Sequence, residues 1–223
     1  MVDLERRYQE LYDETVRLKS TGRVQETETL ENEAAGLLEE ARGRAEKDAC
    51  DPETAATLLF LAEREWLIHG DNRDVQSKLE RALAIQESCF GAQDPRTADA
   101  ITKLAEFHFL SGRWGEAASR YREALAIYEG RRITGTPLYA QCRGGLAQAL
   151  AALGRPQEAD PHFAAAISVS EGREEHKRAL YFLYVYRAEG LEILGRQAES
   201  EDLRRKAAGL LPRNNPGEQG FHV

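Results

Sequence analysis

The sequence repeats itself at an interval of 42 residues. Gly70, Gly112 and Gly154 are separated by this interval. The same shift aligns three similar, mainly apolar tetrapeptides, at residues 82–85, 124–127 and 166–169. A fixed period of this length is typical of stacked repeats, in which each unit is too small to fold alone and is stabilised by its neighbours. The period therefore predicts a repeat protein before any catalytic motif is considered.

Each repeat predicts two helices joined by a tight turn. Within residues 96–130, apolar residues first recur at three- and four-residue steps over 98–109, which is the spacing of one helical face. Residues 111–113 interrupt the pattern, and their glycine suits the left-handed position that ends a helix. A second periodic stripe follows over residues 114–128. The pattern predicts helical hairpins near residues 54–88, 96–130, 138–172 and 178–210.

Small and aromatic residues occupy matching positions in successive units: Gly112, Trp114, Ala117, Tyr121, Ala124 and Leu125 in one, and Gly154, Ala159, Phe163 and Ala166 in the next. The stretch from Asp94 to Ala98 reads Asp-Pro-Arg-Thr-Ala. Together these residues resemble the tetratricopeptide repeat (TPR) family, in particular the 42-residue variety of kinesin light chains. The resemblance implies an all-α fold, a TPR-like α-solenoid in which antiparallel helix hairpins form a right-handed superhelix.

Three segments are expected along the chain. Residues 51–211 form a TPR-like array of about four units, and residues 1–50 form a helical segment that is a degenerate or capping repeat. Residues 212–223 contain helix-breaking prolines and are expected to be a disordered tail. Residues 179–186 are rich in the aromatic and β-branched residues typical of a strand. The repeat register nevertheless predicts a helix there.

Composition argues against several classes of partner. The net charge of −8 disfavours nucleic acid, because phosphate contacts need clustered Lys and Arg. No apolar run approaches the roughly 18 residues of a membrane-spanning helix, and the first residues lack the apolar core of a signal peptide. Cys50, Cys89 and Cys142 are odd in number and far apart, which favours free thiols. We therefore expect a cytoplasmic protein.

The sequence predicts no catalytic site, cofactor or metal. Its five histidines form no H-x-x-x-H pair and none lies at metal-ligand spacing from a cysteine. His108 is interpreted as a packed histidine on the inner face of its helix. Gly144 and Gly145 lack the frame of a phosphate-binding loop, so we interpret them as small residues that permit close helix packing. No serine or cysteine has a convincing base, and the chain is expected not to be an enzyme.

The TPR resemblance implies a binding groove, because the first helix of each unit lines a concave surface in that family. Transferring this surface by repeat register gives a predicted partner-binding groove: Thr57, Phe60, Arg64, Leu67, Asp99, Thr102, Glu106, Phe109, Gln141, Gln148, Phe182, Val185 and Glu189. The expected anchors are Phe60, Arg64, Phe109 and Phe182, with Gln148 and Glu106 as polar partners. The alternative is that the three phenylalanines pack between helices.

The function expected from such a groove is that of a non-catalytic scaffold or adaptor that binds a peptide or helix of another protein. The acidic balance of the chain favours a partner with basic residues. Two alternatives remain open. One is a self-associating structural protein that dimerises through the N-terminal segment or the fourth unit. The other is a regulatory module that acts on an enzyme in another chain.

Overall fold

The computed structural model describes residues 52–69 and 73–210, and isolated helical positions between residues 6 and 43. The side chains of residues 53, 64, 67–69, 73 and 175 are outside this description. The main ranges form the helices α1 Pro52–His69, α2 Arg73–Phe90, α3 Pro95–Leu110, α4 Trp114–Gly130, α5 Pro137–Ala152, α6 Pro156–Ser170, α7 Lys177–Ile193 and α8 Gln197–Leu210. The expectations for residues 1–50 fall mainly outside these ranges, and the tail at 212–223 lies wholly outside them.

Helix formation follows the predicted register. The eight helices occupy the four predicted hairpin ranges, and no strand occurs in residues 52–69 or 73–210. The strand-like stretch 179–186 lies inside α7, so the helix predicted there is confirmed. Tertiary context overrides local strand propensity, because Leu180, Leu183 and Tyr184 are buried along one side of this helix. None of the helices in the part of the chain described is long and apolar enough to cross a membrane.

Short turns with a left-handed glycine join the helices within the last three predicted pairs. Gly154 has φ +72° and Gly195 has φ +73°. After each glycine, a backbone N–H reaches back to the preceding helix: Arg155 donates to the carbonyl of Leu150, and Arg196 to that of Leu191, both at 2.9 Å. This is the Schellman arrangement that terminates a helix at glycine. It explains why the repeating glycines mark the turns.

Proline and a polar cap begin the first helices of two units. Asp94 caps α3 by accepting from the backbone N–H of Arg96 at 3.0 Å, and Pro95 takes the first helical position. Thr136 caps α5 by accepting from the N–H of Tyr139 at 3.3 Å, and Pro137 follows it. Proline is tolerated here because its missing N–H would have no partner within the helix.

The chain divides into two compact units, residues 1–111 and 112–223. In the first unit, α1 packs against α2, and α2 packs against α3. Its core contains a buried cluster contributed by α1 and α2, made of Ala55, Leu58, Phe60, Leu61, Ala82 and Ile85. His108 of α3 is buried, in agreement with its interpretation as a packed histidine.

In the second unit, each helix from α4 to α8 packs against the next one. The aromatic and apolar residues of the repeat motif form its core. Tyr121, Leu125 and Phe163 are buried, as the repeat register predicts. Cys142 is also buried and its thiol lies 3.3 Å from the carbonyl oxygen of Tyr121.

An ion-pair network replaces apolar packing at one repeat position of the second unit. Arg187 occupies the register position that carries leucine in the two preceding units. Its Nε donates to Asp160 at 2.7 Å, and Arg196 Nη1 donates to the other oxygen of the same carboxylate at 2.6 Å. Burial alone would raise the pKa of Asp160, but the hydrogen bonds from both arginines lower it below its usual range. The network joins α6, α7 and the turn before α8.

Candidate functional site

A groove of about 470 Å³ runs between the first helices of the last two helix pairs. We call it the α5–α7 groove. One side is formed by α5 through Pro137, Ala140, Gln141, Gly144, Gly145 and Gln148. The other side is formed mainly by α7, through Ser170, His176, Ala179, Phe182, Leu183 and Tyr186. The groove lies wholly within the second compact unit.

Two glycines of α5 let neighbouring side chains approach this helix closely. A Cβ at Gly144 would lie 2.8 Å from Cδ2 of Leu183, and a Cβ at Gly145 would lie 2.6 Å from the hydroxyl oxygen of Tyr121. Both distances are shorter than van der Waals contact allows. The paired glycines therefore act in helix packing, in agreement with their interpretation from the sequence.

Aromatic rings form much of the α7 side. The rings of Phe182 and Tyr186 are stacked, with centroids 6.2 Å apart and planes inclined by 22°. Tyr181 meets Phe182 edge to face at 5.3 Å. Phe182 is 37% exposed, so its ring remains accessible from the groove. Stacked rings on a helix offer a large and rigid apolar surface at low conformational cost.

The polar groups of the groove are mostly uncharged. Gln141 is exposed and Gln148 is half-buried, and both belong to α5. An amide side chain can both donate and accept, which suits the alternating groups of a peptide backbone. His176 and Ser170 are buried at the end of the groove nearest the start of α7. The groove can therefore accept apolar side chains and hydrogen-bond a main chain.

A carboxylate lies beside the aromatic side of the groove. Glu189 is exposed and follows Tyr186 by one helical turn on α7. Burial raises the pKa of Tyr186, and the negative charge of Glu189 raises it further. The guanidinium of Arg204 on α8 donates to Glu192 at 2.9 and 3.1 Å. These hydrogen bonds raise the pKa of Arg204, and the negative charge of Glu189 also contributes to the increase.

The first compact unit has a separate, smaller pocket of about 200 Å³. Its aromatic part is Trp66 and Phe107, whose rings meet edge to face at 5.4 Å. Glu106 borders it and accepts from Lys103 at 3.2 Å. Burial alone would lower the pKa of Lys103, but the charges of nearby carboxylates, led by Glu106, raise it. This pair forms a local contact along α3.

Three of the predicted groove residues of the first unit lie in its interior. Phe60 is 5% exposed within the core cluster, and Thr57 and Thr102 are buried. Thr102 donates its hydroxyl to the carbonyl of Ala98 at 2.8 Å. This burial corresponds to the alternative in which the aromatic residue packs between helices, and it removes Phe60 from the accessible surface.

The remaining predicted residues of the first unit are less enclosed. Asp99 and Phe109 are half-buried on α3. Arg64 and Leu67 belong to α1, and their side chains lie outside the described part of the structure. Neither Asp99 nor Phe109 lines the smaller pocket, whereas Glu106 does.

In the second unit, the α5–α7 groove brings together three of the predicted residues, Gln141, Gln148 and Phe182. Val185 is half-buried and Glu189 is exposed on α7, and neither is part of the lining. The repeat register did not predict that Leu183 and Tyr186 line a groove. A groove between two helices is lined by the flanks that face each other, so one set of repeat positions does not describe both helices. Helical spacing around Phe182 was the available signal, because Tyr186 lies four residues after it.

The family model of the tetratricopeptide repeat matches residues 70–130 and 96–172. These ranges span α2 to α6 and include the α5 side of the groove. No curated protein sequence matches the chain significantly.

Several solved structures share the fold. The kinesin light chain-like TPR repeats from Podosopora anserina are 22% identical, with a TM-score of 0.62 over 94% of this chain and 97% of theirs. BtubC (BKLC) from P. vanneervenii is 17% identical, with a TM-score of 0.69 over 99% and 97%. MamA is 17% identical, with a TM-score of 0.60 over 82% and 92%. The family match identifies residues 70–172 of this chain as tetratricopeptide repeats, and the solved structures share its α-solenoid fold.

Proposed function

We propose that the protein is a non-catalytic scaffold that binds a segment of a partner protein in the α5–α7 groove. The observation that carries the proposal is the accessible Phe182–Tyr186 stack facing a glycine-containing helix across a groove of about 470 Å³. A peptide groove needs a few apolar anchors and polar groups for the main chain. Gln141 and Gln148 supply such polar groups.

Phe60, which was expected to be an anchor, is not part of this proposed site. Because Phe60 is enclosed in a core cluster, its ring has little surface to offer a ligand. Phe182 keeps its role as an anchor, and Tyr186 and Leu183 join it. The TPR fold supports the proposal, since stacked helix pairs form extended surfaces suited to other chains.

The test begins with peptides selected from a random displayed library by the full-length chain. The best peptide is labelled with fluorescein and titrated by anisotropy. Phe182→Ser should weaken its binding about tenfold or more, because aromatic anchors concentrate binding energy. Leu153→Ser is the matched control: Leu153 is 39% exposed, close to the 37% of Phe182, but does not line the groove.

Thermal unfolding of both variants separates loss of binding from loss of folding. Equal binding by Phe182→Ser and by the wild type, in a variant that still unfolds cooperatively, would reject this groove as the site. Failure to select any peptide would reject peptide binding itself.

Self-association through the last helix pair is the second candidate function. It is favoured by Ile193 at the end of α7, which is 75% exposed although it is large and apolar. Sedimentation equilibrium over a range of concentrations distinguishes the two. A concentration-dependent dimer that Ile193→Ser converts to a monomer would support self-association, and a monomer at all concentrations would reject it.

A further inference from the structure

The aromatic side of the α5–α7 groove is suited to a positive charge. The faces of aromatic rings carry negative electrostatic potential, and a cation within about 6 Å of a ring centroid is attracted to it. Phe182 and Tyr186 present two such rings in one stack, and Phe182 is accessible. Among the described residues that line the groove, none is a lysine or an arginine. The protein thus leaves this surface without a cation of its own in the lining.

A carboxylate lies beside the Tyr186 end of this stack. Glu189 lies one helical turn after Tyr186 and two turns after Phe182, so it lies along the same side of α7. Glu192 follows on the same helix and is bound by Arg204.

Two nearby arginines are bound to a carboxylate of another helix. Arg187 and Arg196 both donate to Asp160, at 2.7 and 2.6 Å. At the opposite end of α7, Lys177 donates to Glu174, and Arg178 lies eleven residues before Glu189. At about 1.5 Å per residue this places Arg178 roughly 16 Å along the helix from Glu189. Arg178 lies four residues before Phe182, about 6 Å along the helix, so the stack has a cation toward its Phe182 end and the carboxylate of Glu189 toward its Tyr186 end.

We propose that the α5–α7 groove selects a partner segment that carries an arginine or a lysine, with the cationic group over the Phe182–Tyr186 stack and paired with Glu189. The inference depends on the proposed function, because it names the chemistry of the segment bound in that groove. The aliphatic stem of the same side chain packs along the apolar lining. Gln141 and Gln148 bind the main chain of the segment from the α5 side.

The test uses degenerate nonapeptide libraries on an array, each with one fixed central residue: arginine, lysine, citrulline or glutamate. Citrulline keeps the shape of arginine but has no charge. The full-length chain should bind the arginine library about five- to tenfold more than the citrulline library, since the cation–π contact and the ion pair are each modest. The lysine library should also exceed citrulline, and glutamate should bind least.

Two variants connect the preference to the named residues. Glu189→Gln should reduce the arginine-to-citrulline ratio about threefold. Phe182→Leu keeps an apolar side chain but removes the ring face, and it should also reduce the ratio. Glu201→Gln is the matched control, since Glu201 is an exposed carboxylate on α8 away from the lining, and its ratio should equal that of the wild type.

The outcomes separate the inference from the proposed function. Equal binding of the arginine and citrulline libraries, or preferred binding of glutamate, would overturn the inference while leaving peptide binding in place. Binding to none of the libraries would overturn the proposed function as well. A preference that persists unchanged in both Glu189→Gln and Phe182→Leu would place the cation elsewhere and overturn the assignment.

Discussion

Gly145 of α5 lies directly against the ring of Tyr121 of α4. A Cβ at position 145 would lie 2.6 Å from both Cε1 and the hydroxyl oxygen of Tyr121. The adjacent Gly144 faces a different neighbour, because its Cβ would meet only the end of the flexible Leu183 side chain at 2.8 Å and the methyl of Ala166 at 4.0 Å. The two neighbouring glycines thus pack against different side chains, and the first prediction tests these two contacts.

Gly145→Ala should destabilise the fold by about 1–3 kcal/mol, because a methyl group must displace a buried aromatic ring. Gly144→Ala is the matched control and should leave stability nearly unchanged, since Leu183 can rotate and alanine improves helix propensity by about 1 kcal/mol. Urea unfolding followed by circular dichroism measures both. Equal stability of the two variants would contradict the assigned packing.

Truncation of the aromatic core of the second unit should be costly. Phe163 and Tyr121 are both buried. Phe163→Ala and Tyr121→Ala should each cost about 3–5 kcal/mol, which is the range for large core truncations. In a repeat array each unit depends on its neighbours, so the loss should lower the melting temperature of the cooperative transition. Unchanged melting of both variants in a thermal scan would show that these rings do not support the fold.

Loss of the Asp160 carboxylate should weaken the contact of α6 with α7. Asp160→Asn leaves Arg187 and Arg196 without their shared anion, and it should cost about 1.5–3 kcal/mol, typical of hydrogen bonds to charged groups. Glu199→Gln is the control, since Glu199 is an exposed partner of Arg196 and should matter less. Chemical unfolding compares the two, and an equal cost would show that the partly buried network has no special role.

The Asp160 carboxylate also predicts that the stability of the fold depends on pH in the acidic range. The pKa of Asp160 is lower in the folded protein than the usual value of about 3.9 in an unfolded chain. Its contribution to stability is therefore present above that value and is lost as the pH falls through the lower folded pKa. In unfolding measurements below about pH 4, the wild type should lose stability more steeply than Asp160→Asn. Parallel curves would contradict the role of this group.

His162 predicts that the stability of the fold also depends on pH nearer to neutrality. Burial lowers its pKa, and the charges of Arg143 and Arg122 lower it further. Arg143 Nη1 lies 2.7 Å from Nδ1 of His162, a hydrogen bond that the guanidinium donates and the neutral imidazole accepts. The unfolded state, with a pKa of about 6.5, therefore binds more protons as the pH falls, and stability decreases below about 6.5.

The measurement for His162 is the melting temperature at about pH 7.5 and about pH 5.5. The wild type should lose more stability across this interval than His162→Gln, which cannot be protonated. A loss of equal size in both proteins would assign the effect to other groups.

The repeat period was sufficient to predict the fold class and the helices. Glycines at a constant interval, together with apolar residues at helical spacing, predict the helix pairs, because these patterns depend on local backbone conformation and on one buried face per helix. For the same reason, the helix over residues 179–186 was predictable although its composition is typical of a strand. The burial of Tyr121, Leu125 and Phe163 follows from the same register.

Only the tertiary structure decided which first-helix residues are accessible. Phe60 and Phe182 have the same side chain on first helices of different units, but one is enclosed in a core and the other remains open to a groove. The partner of Arg187 and the ring beside Gly145 were likewise absent from the pattern. Periodicity identifies which side of a helix is apolar. The exposure of a side chain and its contact partners depend instead on how closely neighbouring helices approach, and the distance between helices is set by side chains that are far apart in the sequence.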